Sequence, residues 1–154
     1  MEEYPLFITV DLTLKTKFPG LRAQVLRLRG VEVNREEADL ERFKAEVIER
    51  TRSRWNLDQL KEHPLFRAYR DFFWRVGVDP TKTRPAAEAL IRRVLRGRSL
   101  PKINTVVDAI NLASIDTAIP LAAFDDDGLA GDLLMREAEE GEEFLGIGMD
   151  RPVV

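Results

Sequence analysis

The chain has 154 residues, 44% hydrophobic and 33% charged, with a net charge of −3, the balance of one globular domain with room for a core. It has no cysteine and one histidine, His63, which excludes a disulfide framework, thiolate catalysis and a conventional Cys or His metal site. No apolar run approaches the roughly 20 residues that span a bilayer, so no membrane association is expected.

The start, "MEEYPLFITV", lacks the basic region of a signal peptide, and a cytoplasmic location is expected. "LFITVDLTL" alternates and is rich in β-branched residues, which predicts a strand from Leu6 to Leu14. After the turn "KTKFPG", "AQVLRLRGVEV" predicts a second strand from Ala23 to Val33, with Asn34 as the N-cap of a helix. In that helix Leu40, Phe43, Val47, Thr51 and Trp55 keep three-to-four spacing, and Arg42, Glu46, Arg50 and Arg54 form a charge ladder on the wet side.

"HPLFRAYRDFFWRVG" predicts a second helix, with His63 and Pro64 at its start and Gly77 at its end. Leu65, Tyr69, Phe72 and Val76 form its buried face, and the aromatic stripe is read as core rather than as a base-stacking platform. Pro85 opens a third helix, Ala86 to Arg96, ended by Gly97. The segment from Asp79 to Lys102 carries a net +5, enough to track phosphates.

A fourth helix, Thr105 to Asp116, is nearly apolar apart from Asn104, Asp108 and Asn111, which share a wedge about 60° wide. A helix this apolar is buried, so those polar groups must be met by backbone, by partners or by a ligand. "AIPLAAFD", "DLLMREA" and "EEFLGIG" predict strands around the turn "DDDG". The segment from Asp125 to Asp150 carries a net −9, yet the Asp125–Asp127 triplet lacks the alternation of an EF-hand loop and reads as a turn. No metal and no cofactor are expected. No phosphate-cradling motif or glycine elbow occurs, and Ser53, Ser99 and Ser114 have no credible partner base. Two strands, four helices and a run of strands make an α+β chain: one domain over residues 1–154, a mixed sheet with about four helices.

Ile103-Asn104-Thr105-Val106-Val107-Asp108-Ala109-Ile110-Asn111 resembles the "INNVVDITN" motif of the B3/B4 domain in the phenylalanyl-tRNA synthetase beta subunit. Pro120, Ala123, Phe124 and Asp125 stand where that family has "QPxHAFD", and Gly131, Arg136, Ala138, Gly141 and Glu142 fit "EGxIxVRxAxxGE". Ala122 stands in place of the motif's histidine, and Ala118 and Ile119 in place of a Gly-Gln pair. The chain ends at Val154, before the family's last strands, so the domain is expected to be C-terminally short. The resemblance implies a free-standing editing-type deacylase that uses water to hydrolyse the ester of a mischarged tRNA. By the same resemblance Asn111 and Asp125 are the catalytic candidates, and Asn104, Asp108, Pro120, Ala122 and Phe124 line the substrate pocket. Arg84, Arg92, Arg93, Arg96 and Arg98 are the candidate contacts to the aminoacylated tRNA. Asp108 has a second reading, as a scaffold that pins the following loop, and Asn111 stands open between the two roles. Two alternatives remain: an RNA- or protein-binding module without catalysis, and an amino-acid or small-molecule binder.

Overall fold

The computed structural model describes residues 7–146 and 150–152. Its elements run β1 (Ile8–Val10), α1 (Leu12–Lys17), α2 (Ala38–Arg54), α3 (Pro64–Arg75), α4 (Ala86–Leu95), α5 (Thr105–Thr117) and β2 (Leu133–Met135). Short 3-10 turns occupy Leu60–Glu62 and Asp126–Gly128. The class is α+β, with five helices and two paired strands. Two compact units divide the chain: Glu32–Ala123, and the described residues before Glu32 together with those from Phe124.

The helical unit begins with α2. Its cap is Glu37 rather than the expected Asn34: the Glu37 carboxylate accepts from the Leu40 amide at 2.7 Å. Asn34 is held elsewhere, its backbone exchanging hydrogen bonds with Thr105 at 2.9 and 3.0 Å. Val47 and Thr51 are buried on α2, whereas Phe43 lies exposed with Arg50 stacked over its ring. The α3 helix starts at the His63-Pro64 pair, and the His63 imidazole accepts from the Leu65 amide at 3.4 Å. Gly77 ends it with φ 80°, a conformation that costs glycine no side-chain clash. Its single fully buried side chain is Phe66, one of the aromatics expected to broaden the apolar face with Phe73 and Trp74, whereas Trp74 lies exposed.

Helices α2, α4 and α5 pack against one another around Val47, Leu60, Phe66, Ile91, Val94, Leu112, Ile115 and Ala118. Leu40, Ile48, Trp55, Leu65, Leu90, Leu95 and Leu100 extend that cluster outward. Beside it sits a buried carboxylate. Glu88 on α4 is 0% exposed and takes a two-pronged pair from Arg70 on α3 at 2.8 and 2.7 Å and one bond from Arg92 at 2.6 Å. Burial pushes the Glu88 carboxyl up, but the hydrogen bonds from Arg70 and Arg92 outweigh it and hold the group below the ordinary carboxylate range.

In the second unit β1 and β2 run parallel, with Ile8 opposite Leu133 and Val10 opposite Met135. The strand expected through Leu14 stops at Val10, because the Asp11 carboxylate accepts from the Thr13 and Leu14 amides at 2.8 and 3.3 Å and starts α1. The expected strand from Ala23 to Val33 forms no ladder, and Leu26 and Leu28 lie exposed along it. The strand expected over "AIPLAAFD" is also absent, and "EEFLGIG" shows only an isolated bridge at Phe144. Residues 147–149 of that last segment lie outside the described residues. Among the described residues, no helix is long and apolar enough to cross a membrane.

Candidate functional site

The polar wedge of α5 resolves into three different roles. Asn104 precedes the helix with an extended backbone (φ −157°, ψ 169°), so it leaves the helical wedge and caps the N-terminus, accepting from the Val107 amide at 2.9 Å. Asp108 is buried, and its Oδ1 accepts from the Ile103 amide at 3.1 Å while Lys44 Nζ lies 3.7 Å from Oδ2. Asp108 therefore pins the loop before α5, not the one after it. Both side chains already have internal partners, which leaves little of either to face a ligand. Asn111 differs: it is half-buried, and its carboxamide has no hydrogen-bond partner among the described residues.

The end of α5 carries a device that patterning did not reveal. The buried Ser114 hydroxyl donates to the Ile119 carbonyl at 2.6 Å, and the Ile119 amide donates to Thr117 Oγ1 at 3.3 Å. Between them Ala118 adopts a left-handed conformation, φ 59°, with its methyl buried in the core. A left-handed L-residue costs about 1–2 kcal/mol, and here the two hydrogen bonds and the buried methyl offset it. Ser114, a hydroxyl without a partner base, serves instead as the anchor of this turn, reaching the carbonyl of the residue that precedes Pro120.

Pro120 and Ala122 follow on the segment leaving α5 in the helical unit. Phe124 and Asp125 belong to the other unit, where Phe124 is 64% exposed. The Asp125 carboxylate is committed to its own turn, accepting from the Asp127 amide at 3.2 Å. In the next residue, Asp126 Oδ1 pairs with Arg27 at 2.9 Å.

The basic segment also separates by role. Arg92 is half-buried against Glu88 and is a partner of the core rather than an exposed cation, a correction to its place among the phosphate contacts. Arg93 is exposed and donates to the Ser99 carbonyl. Arg84 is half-buried, and its Nε has no partner among the described residues. Arg96 and Arg98 are exposed, with no ion pair among the described residues.

Further along, Arg136 and Glu142 form a two-pronged pair, one prong at 2.8 Å, and the Glu139 amide donates to Glu142 Oε2 at 2.6 Å. Gly141, with φ 83°, lets the chain turn between them. The Arg136 guanidinium and the Glu139 amide together lower the Glu142 carboxyl to about 2. These motif residues close a loop, and no group of three or more His, Asp or Glu side chains that could hold a metal forms among the described residues.

Two shallow clefts open in the helical unit. One, about 290 Å³, is lined by Arg35, Glu36, Lys102 and Ile103. The other, about 200 Å³, is lined by Arg54, Trp55, Asn56, Gln59, Leu60 and His63. Asn111 lines neither.

Comparison with known proteins places the chain. The family model described as the B3/4 domain matches residues 68–154. A stretch of 61 residues is 36% identical to the phenylalanine–tRNA ligase beta subunit of Cutibacterium acnes, covering 40% of this chain but only 7% of that protein. No solved structure matches. The matched span takes in most of α3, all of α4 and α5, and the strand-forming segment after them. The chain belongs to the B3/4 domain family.

Proposed function

We propose that the chain is an editing-type aminoacyl-tRNA deacylase, acting in trans on the ester of a mischarged tRNA. The observation that supports this reading is the Asn111 carboxamide, a polar group on the most apolar helix with no internal partner to explain it. Ester hydrolysis by water needs an oriented nucleophile and donors aimed at the developing oxyanion more than it needs a protein nucleophile. A carboxamide offers two N–H donors for the oxyanion and one oxygen to orient water. Pro120 and Ala122, on the segment that leaves α5 in the same unit, would border the aminoacyl group. Arg93 on the last turn of α4, with Arg96 and Arg98 just beyond it, all exposed, would meet tRNA phosphates.

The test is deacylation of a panel of mischarged tRNAs by this chain and by Asn111→Ala. The reading expects ester loss above buffer, reduced about 100-fold or more by the substitution, the usual scale for one oxyanion donor. A folded protein with no acceleration on any member of the panel overturns it. A second reading, RNA binding without catalysis, is favoured by a specific observation: the Asn104 side-chain oxygen and the Asp108 carboxylate are engaged in holding the start of α5, and the Ala122 side chain brings no polar atom. It expects salt-dependent tRNA binding and no turnover.

A further inference from the structure

We propose that the cleft between the end of α2 and the start of α3 is a stacking site for one unpaired nucleobase. The proposal rests on the tRNA-directed reading above but uses none of its site residues. The cleft, about 200 Å³, is below the 300–1,000 Å³ that encloses a drug-sized ligand, and suits a single flat ring system. Its residues are held in place before any ligand arrives. Arg54 lies over the Trp55 ring at 4.7 Å, and its Nη1 donates to the Asp116 carbonyl at 3.1 Å. Trp55 is in turn braced edge-on by His63 at 4.9 Å and by Phe66 at 5.1 Å. A guanidinium fixed in this way and exposed at the cleft is a platform on which a base can stack, as RNA-binding sites use Arg planes and aromatic rings.

The rim supplies the polar groups that would read a base edge. The Gln59 carboxamide is exposed and has no hydrogen-bond partner among the described residues. Asn56 spends its Oδ1 on the Asp58 amide at 2.9 Å, which turns its two N–H donors outward from that turn. Two carboxamides beside a stacking plane pair with the mixed donors and acceptors of a base, whereas a phosphate would be served by cations alone. Trp55 and His63, which flank the buried Phe66, thus carry the wet edge of this aromatic cluster.

The chain has two tryptophans, so Trp74→Phe leaves Trp55 as the sole tryptophan, excited selectively over the tyrosines at the red edge of indole absorption. That protein is titrated with a short single-stranded RNA and with an abasic oligomer of the same backbone. The proposal expects saturable quenching by the RNA and at least tenfold weaker response to the abasic strand. It also expects about fivefold or greater loss of affinity in Gln59→Ala, an exposed position whose change leaves the fold intact. Equal responses to the two strands, no quenching at all, or an unchanged affinity in Gln59→Ala each overturn it. Quenching that survives in a protein without deacylation removes the editing reading and keeps the cleft; deacylation without quenching does the reverse.

Discussion

The two units differ in what holds them. The helical unit has eight mutually packed buried side chains, a buried carboxylate clasped by two arginines and three helices that end at glycine or left-handed alanine. The strand unit buries Leu14 and Phe18, leaves Phe7, Leu26, Leu28, Leu134, Phe144 and Leu145 exposed, and is tied by surface ion pairs. Burial of apolar area stabilises at about 25 cal/mol per Å², while exposed ion pairs contribute about 0–1 kcal/mol each. Most of the stability is therefore stored in residues 32–123, and the strand unit opens at lower free energy.

Four measurements break or sharpen that contrast. The largest effect is expected from Phe66→Ala, which empties the centre of the helical core and should cost about 3–5 kcal/mol in urea unfolding. A loss below about 1 kcal/mol would show that the core lies elsewhere. Next comes Glu88→Ala, expected to cost about 3 kcal/mol because Arg70 and Arg92 are left half-buried without their counter-charge. If the variant is as stable as the parent, the triad is not holding α3 to α4.

Asn104→Ala removes the α5 cap and should cost about 1 kcal/mol. A neutral result would mean that another group takes the Val107 amide. The smallest effect belongs to the strand unit and depends on pH. The Glu142 carboxyl, about 2 in the folded chain, sits below the ordinary value of about 4.3, so its contribution is complete above pH 4.3 and lost as pH falls through 2. Protection of the Glu139 amide, its exchange rate set against the intrinsic rate at each pH, should fall as pH drops through that window and already be low at neutral pH in Glu142→Gln. A flat profile in the parent would detach the loop from this pair.

The same contrast explains what the sequence disclosed. Helices α3 and α4 were legible from local signals, His63-Pro64, Pro85 and the glycines at 77 and 97, and α2 and α5 from their apolar spacing, whereas the caps Glu37 and Asn104 were not. The α+β class and the family motifs followed from the same stretches. Strand extents were not legible, since "AQVLRLRGVEV" shows the alternation of a strand but cannot say whether a partner stands beside it. Asp11 shows the opposite error: one capping carboxylate overrides the β-branched composition of the residues around it. The Glu88 triad was hidden because Arg70 lies 18 residues away on another helix, and periodicity reports a face, not the partner across it. In the candidate site, Asp108 was legible as scaffold in kind but not in direction. Asn111 keeps its ambiguity because an unpaired carboxamide is defined only by what surrounds it.

Ala118 has a consequence for how this chain could change over time. Its left-handed turn is anchored by a buried methyl and by Ser114, so the direction in which the chain leaves α5 is set from beneath rather than by residues 119–123 themselves. Those five positions are therefore replaceable without re-aiming the loop. A change at position 122 alters the side chain offered there and leaves the frame beneath it standing.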